Sequence, residues 1–238
     1  MTQTSGATDR SKSPTAFQLD TRQVAYFETF GFLKVPGLFA HDIYRIEAGF
    51  EEVFANDAIG RMETNEHLHL EQRRTIIPGF IHKSDKLAPL LDDPRVVGVV
   101  TGLIGENYEY AESDGNVFDC ESSWHPDIYS APLNQFHAKL SFYLDPLHGD
   151  SGAIRMIPGT NHHKTPYAKA LRNNLEDYEA IERIYGVRYN EIPSWTLESE
   201  PGDLIVWNFR TIHASFNGGE RRRLFSINFR EVGDSGDK

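Results

Sequence analysis

The rhythm of apolar and polar positions changes near residue 106. Upstream, apolar residues recur at spacings of three and four, the repeat of a helix face. Downstream they form short runs, alternating or continuous, bounded by Gly, Pro, Asn and Asp, the pattern of strands in a sandwich or barrel. In the first part Val24, Phe27 and Phe30 define a helix with Asp20 or Thr21 as its cap and Gly31 at its end, followed by a short strand from Phe32 to Val35. Asp42 to Phe54 and Pro94 to Ile104 give two further helices, the second closing at Gly105. In the second part the clearest strand runs from Gln135 to Leu144. Phe136, Ala138, Leu140, Phe142 and Leu144 alternate there with Gln135, His137, Lys139, Ser141 and Tyr143, so one face packs and the other lines something wet. Turns at Asp150-Ser151-Gly152, Pro158-Gly159-Thr160 and Pro201-Gly202-Asp203 separate strands at Ala153 to Ile157 and Leu204 to Phe209, and a last strand runs from Leu224 to Phe229. Tyr167, Leu171, Leu175, Tyr178 and Ile181 form one helical stripe, an insertion placed to act as a lid over a barrel mouth.

Composition narrows the class. The 238 residues are enough for one domain with a full core. That domain is expected over residues 16–238, because residues 1–15 are polar and cannot offset their ordering entropy by burial. A formal charge of −11 argues against a nucleic-acid or anionic-membrane surface and leaves a small molecule as the expected partner. The single cysteine, Cys120, excludes an internal disulfide, and the N-terminal stretch has no apolar signal core, so a cytoplasmic protein is expected. Oligomeric state is not legible.

The chemistry concentrates at His125-Pro126-Asp127 and His213. Residues two apart on a strand project to the same face, so positions 125 and 127 can share one ion. Two imidazoles and one carboxylate are the set that holds non-haem Fe(II) on one face and leaves the opposite positions open. Against this, a His-x-Asp pattern is short, and His213 alone reads as readily as a hydrogen-bonded core histidine. The run Arg221-Arg222-Arg223 after His213 tips the balance, since an oxygenase using 2-oxoglutarate needs a cation for the distal carboxylate, and arginine donates two parallel hydrogen bonds to it. Strand parity with Phe225, Ile227 and Phe229 selects Arg223 as the inward member. Lys139, His137 and Tyr143 share the polar face of the long strand and, with Trp124 beside the first histidine, are the candidates for contact with substrate or cosubstrate. A second group, His67, His69 and Glu71, shares a face if extended, but has no distant partner and reads as a surface or substrate loop. His41, His82, His148, His162 and His163 read as non-ligands.

Trp124-His125-Pro126-Asp127, the stretch from Phe142-Tyr143-Leu144-Asp145 to Gly152 through Thr160, Pro201-Gly202-Asp203, and His213-x-Ser215-x-Asn217 before Arg223 together resemble the phytanoyl-CoA dioxygenase family of Fe(II)/2-oxoglutarate oxygenases. The resemblance covers most of the chain. It implies a mostly β fold with flanking helices, a double-stranded β-helix or jelly-roll, cupin-like barrel. It further implies Fe(II), 2-oxoglutarate and O2 as cofactors, metal ligands His125, Asp127 and His213, and a 2-oxoglutarate site of Arg223, Ser215 and Tyr143. Two departures stand out: Pro126 occupies a position where family members often carry Gln, and the segment from His213 to Asn217 is one residue short, so the arginine is counted from Asn217. Asp127 stands where halogenases of this type carry a small residue, so hydroxylation, desaturation or oxidative ring closure is implied. A weaker likeness is to the orthoester-forming oxygenases of oligosaccharide antibiotics, which suggests a sugar-containing substrate. The competing class is a cupin-like barrel that binds a metal or sugar without redox turnover.

Overall fold

The structure is a computed structural model and describes residues 16–57, 62–64, 74–127, 135–174, 177–218 and 221–233. The N-terminal stretch, His67, His69, Glu71 and Leu175 lie outside those residues.

Helix α1 (Thr21–Phe30) begins as its residues dictate: Asp20 accepts from the backbone N–H groups of Arg22 and Gln23, Gln23 returns the bond to Asp20, and Gly31 closes the helix at φ 86°. Strand β1 (Phe32–Val35), helix α2 (Ile43–Asn56) and helix α3 (Pro94–Ile104) follow the predicted pattern closely. Between them lie β2 (Met62–Thr64) and β3 (Arg74–Pro78), and after α3 comes β4 (Tyr108–Phe118), the longest strand. None of these three was individually predicted. Their polar residues fall on both faces, so no clean alternation marks them. The remaining elements are β5 (Ser122–His125), β6 (His137–Tyr143), β7 (Ile154–Met156), α4 (Pro166–Asn174), α5 (Tyr178–Tyr185), β8 (Trp195–Leu197), β9 (Leu204–Asn208), β10 (His213–Ser215) and β11 (Arg222–Glu231).

The strands form two antiparallel sheets. The larger has the order β1-β9-β6-β11-β4-β3-β2 and the smaller β5-β10-β7-β8, the crossed-over order of the expected jelly roll. Apolar residues on one face of the large sheet, including Leu140, Phe142, Val206, Phe225, Ile227 and Phe229, pack with Ile46, Phe50 and Val53 of α2 and Val96, Val99 and Val100 of α3. Phe142 and Phe225, register partners on neighbouring strands, stack with centroids 4.6 Å apart. A smaller cluster, with Phe32, Ile154, Met156, Ile205, Trp207 and Leu224, fills one part of the space between the sheets. A third lies behind the small sheet, where Leu171 of α4 and Ile181 of α5 cover Trp124, Ile157, Ile212 and Phe216.

That third cluster corrects the expected lid. Leu171 and Ile181 of the predicted stripe are spent on the back of the small sheet, and among the described residues none of the insertion lines the cavity between the sheets. Phe225 is fully buried between Phe80 and Phe142. Its replacement by Ala is expected to cost about 3–5 kcal/mol, from lost transfer and an unfilled cavity, read as a fall in the urea midpoint at unchanged slope.

Candidate active site

The pairing of β5 with β10 brings together the residues that sequence separates. His213 is the direct antiparallel partner of His125, and a register shift between His213 and Ser215 places Ser215 opposite Ser122. This irregularity turns Ser122 as well as His125 toward the interior. Asp127, just beyond β5, is fixed by its backbone N–H to the Phe209 carbonyl at 2.8 Å. The ligand atoms of His125, Asp127 and His213 all lie within 4.8 Å of one another, the one such group of three among the described residues.

The state of each donor suits a cation. His125 Nδ1 is 2.6 Å from the Ser123 carbonyl and His213 Nδ1 is 2.9 Å from the Thr211 carbonyl. A carbonyl only accepts, so both Nδ1 atoms carry the proton and both Nε2 lone pairs remain for a metal. Burial, reinforced by the neighbouring His213, lowers the His125 pKa to about 3, and burial lowers that of His213 too, so both rings are neutral. Burial pushes the Asp127 carboxyl upward, but Lys139 and then other neighbours, including the Trp207 N–H, outweigh it and hold the group below the usual carboxylate range. Trp207 Nε1 donates to Asp127 Oδ2 at 2.9 Å and Lys139 Nζ lies 3.4 Å from the same oxygen. Two neutral imidazoles and one ionised carboxylate, with bonded outer atoms, fit a divalent first-row ion.

These groups open on a cavity of about 320 Å³ between the sheets. Its lining includes Ser122, Tyr143, Ile154, Ser215, Arg222 and Leu224, the polar groups of Arg74, Glu112, Asp114, Asn116, His137, Lys139 and Asn228, and the rings of Phe118, Trp207 and Phe209; the guanidiniums of Arg74 and Arg222 both lie over the Phe118 ring. Arg222 is 5% exposed. It donates to the carbonyls of Gly152 and Cys120 and to Ser215 Oγ, which itself donates to Gly152 O at 2.7 Å. Burial lowers the Arg222 pKa, and among the described residues no carboxylate pairs with the guanidinium. Room for it is made by glycine: at Gly152, φ 93°, a Cβ would stand 2.8 Å from Arg222 Nη1. A buried guanidinium bonded only to neutral acceptors lacks a counter-ion, and a carboxylate fits there.

Arg223 does not reach this cavity. It projects to the helix-covered side, where it pairs with Asp145 at 2.6 Å, Glu51 at 2.8 Å and Glu47 at 3.4 Å. The parity argument placed Arg223 correctly with Phe225, Ile227 and Phe229, but that apolar face is the back of the sheet against the helices. The interior receives the alternate set Arg222, Leu224 and Asn228. Trp124 is a second correction: it points behind the small sheet, donates to the Tyr189 carbonyl at 2.6 Å and packs on Phe216. Lys139, His137, Tyr143 and Ser215 do line the cavity. Burial raises the Tyr143 phenol, and His137 rests 4.7 Å from the Phe209 ring. The sequence reading missed Trp207, because the continuous apolar run of β9 carries no polarity signal. It missed Arg74, Asp114 and Asn116 because β3 and β4 were not delineated.

Residues 27–224 match the family profile described as Phytanoyl-CoA dioxygenase (PhyH). The chain belongs to that family. As a phytanoyl-CoA dioxygenase family member it is an Fe(II)- and 2-oxoglutarate-dependent enzyme, and the donor set fits both groups; membership decides against the non-redox barrel. No curated protein matches the chain. Among solved structures it is similar to SnoK, a non-haem α-ketoglutarate-dependent carbocyclase from nogalamycin biosynthesis, with TM-score 0.72, 19% identity and coverage of 93% of this chain and 87% of that one. HygX from Streptomyces hygroscopicus, solved with nickel and 2-oxoglutarate, gives TM-score 0.69 at 18% identity over 90% and 88% of the two chains. AviO1 from Streptomyces viridochromogenes Tue57 gives 0.64 at 19% over 94% and 100%. At these identities the likeness confirms the jelly-roll fold. No helix among the described residues is long and apolar enough to cross a membrane.

Because Arg223 is partly exposed and pairs outside the cavity, Arg223→Ala is expected to cost about 1–2 kcal/mol in stability after solvent screening, measured by chemical denaturation. A loss of 2-oxoglutarate affinity without loss of stability contradicts the geometry.

Proposed function

We propose that this enzyme oxidises an unactivated C–H bond of a small, oxygen-rich molecule, by hydroxylation or oxidative cyclisation, in bacterial secondary metabolism. The observation that carries the reading is the buried Arg222, which has no carboxylate partner among the described residues, in the same cavity as His125, Asp127 and His213. In this reading the two histidines through Nε2 and Asp127 through its carboxylate hold Fe(II). Arg222 and Ser215 receive the distal carboxylate of 2-oxoglutarate, and Tyr143 closes the wall beside it. The bound iron and cosubstrate supply O2 activation coupled to decarboxylation, giving succinate, CO2 and the oxidised substrate. The chain's own work is to orient the cosubstrate, keep the imidazoles neutral and exclude bulk water from the reacting end.

The hydrogen-bonding groups of the lining support a polar substrate. Glu112 accepts from Asn228 at 3.1 Å, Asp114 accepts from Ser226 and Asn116, and Arg74 donates to Asn116 at 2.7 Å. Such a surface offers donors and acceptors to hydroxyls beside the apolar faces of Phe118, Trp207 and Phe209, a mixture that accords with a sugar-containing molecule. Two structural neighbours, solved with nogalamycin RO and hygromycin B bound, accord with a natural-product substrate. The one cysteine, buried and free, accords with a cytoplasmic setting.

Arg222→Ala is expected to raise the 2-oxoglutarate KM by a factor of about 10², Arg223→Ala to leave it near the native value, and His213→Ala to abolish iron-dependent succinate release. The measurement is succinate formed against 2-oxoglutarate concentration. A KM unchanged in Arg222→Ala removes the anion site, and succinate release retained in His213→Ala removes the ligand set.

A further inference from the structure

Asp127 meets a cation within the protein itself. Lys139 on β6 is the register partner of Trp207 on β9, so the two side chains leave their strands on the same face, with the ammonium 5.6 Å from the centre of the indole ring. Both reach the same atom, Asp127 Oδ2, the indole at 2.9 Å and the ammonium at 3.4 Å. Lys139 is largely enclosed, its side chain 16% exposed, and Asp127 is its one ion-pair partner among the described residues. The other charged side chains lining the cavity are Asp114 and Arg74, which oppose each other, Glu112, which accepts from Asn228, and Arg222, which is bonded to Gly152, Cys120 and Ser215.

We propose that Lys139 is a resident counter-cation for Asp127: it keeps the carboxylate in place before metal arrives, and it lowers the affinity with which the metal then binds. The inference rests on the reading that His125, Asp127 and His213 hold the metal, and goes beyond it by assigning an electrostatic task to a residue that is not a ligand.

The charges decide the direction. The imidazoles are neutral, and the carboxylate and ammonium cancel, so an arriving divalent ion meets a donor set without net attraction and a fixed positive charge beside its own position. A neutral side chain at 139 removes that repulsion. It also leaves a buried carboxylate without its counter-ion in the metal-free protein, which is costly. Metal-free stability and metal affinity therefore move in opposite directions. A merely structural lysine would lower both. Trp207 supplies a contrast, since its N–H orients the carboxylate without adding charge, and its loss weakens binding as loss of an outer-shell donor does.

Nickel(II) is the probe, added to metal-free full-length protein and followed by calorimetry, with thermal unfolding measured before and after addition. Lys139→Met and Lys139→Gln are expected to bind Ni(II) about tenfold or more tightly than the native protein, while their metal-free Tm falls. Lys139→Arg, which keeps the charge, should stay near native affinity, and Trp207→Phe should bind about tenfold more weakly. Native or weaker Ni(II) affinity in both neutral variants overturns the role given to Lys139 while leaving the metal site intact. If the native protein takes up no stoichiometric Ni(II), the site reading fails, and the inference with it.

Discussion

Everything chemical in this molecule depends on the antiparallel register that sets His213 of β10 opposite His125 of β5. A slip of one residue would turn both imidazoles to the other side of the small sheet, into the apolar cluster of Trp124, Ile212 and Phe216 beneath α4 and α5. That cluster is what prevents the slip. The residues alternating with the histidines, Trp124 on one strand and Ile212 and Ala214 on the other, are bound to the covered face by their own burial. The insertion thus helps to fix the direction of the two imidazoles from the opposite side of the sheet. By packing on the back of the small sheet, it fixes which side of β5 and β10 faces inward.

Charge placement is the second constraint. The interior holds several ionised groups, and each is answered differently. Arg222 is bonded to two carbonyls and a hydroxyl, an arrangement that fixes its direction but not its charge. Asp127 has the opposite arrangement, with a full cation beside it as well as a neutral donor. Arg74 and Asp114 lie 3.8 Å apart and share Asn116. Of these, Arg222 is left with an outstanding requirement, and it is for an anion. Electrostatics alone therefore distinguishes Arg222, which asks for a carboxylate, from the Asp127–Lys139 and Arg74–Asp114 pairs, which are already balanced.

Much of this was legible in the chain, and the failures share one cause. Helices α1 and α3 carried their caps in Asp20, Gly31 and Gly105, and β6 declared itself by strict alternation. The spacing of His125 and Asp127 told that they share a face, while the partnership with His213 required a fold that the family resemblance supplied. The arginine failed because alternation tells which residues lie together and not which side is the inside. On β6 the polar face was read as the wet one; on β11 the apolar face was taken as the inside, although the strands are neighbours and Leu224 pairs with Tyr143. Carrying the β6 assignment across that register selects Arg222 and Leu224 for the interior and sends Arg223 to the helices. Trp124 was misplaced by the same omission, since a residue adjacent to a ligand on a strand must point away from it. Trp207 was beyond reach, because an indole in a wholly apolar run gives no sign that its N–H is spent on a carboxylate.

The fold resolves a conflict that a barrel with an apolar centre would not face. A cavity of this polarity cannot supply the stabilisation that closes the two sheets, since its lining includes Arg74, Asp114, Asn116, Lys139, Arg222 and Asn228. The apolar area is displaced outward, chiefly to the back of the large sheet, where α2 and α3 complete a core around Phe50, Phe80, Phe142 and Phe225, and to the back of the small one under α4 and α5. Between the sheets Phe32, Ile154, Met156, Ile205, Trp207 and their neighbours form an apolar floor, and Ile76, Pro78, Phe118 and Phe209 add apolar surface to the cavity lining. Because burial energy scales with apolar area wherever that area lies, the outer layers can hold the sheets at a fixed separation while the interior stays polar. Residues with the largest effect on stability are then those facing the helices, and those with the largest effect on chemistry are their immediate neighbours in sequence. The adjacent pair Arg222 and Arg223 shows this most directly: one peptide bond apart, the first is buried in the cavity and the second ties the strand to α2 through Glu47 and Glu51.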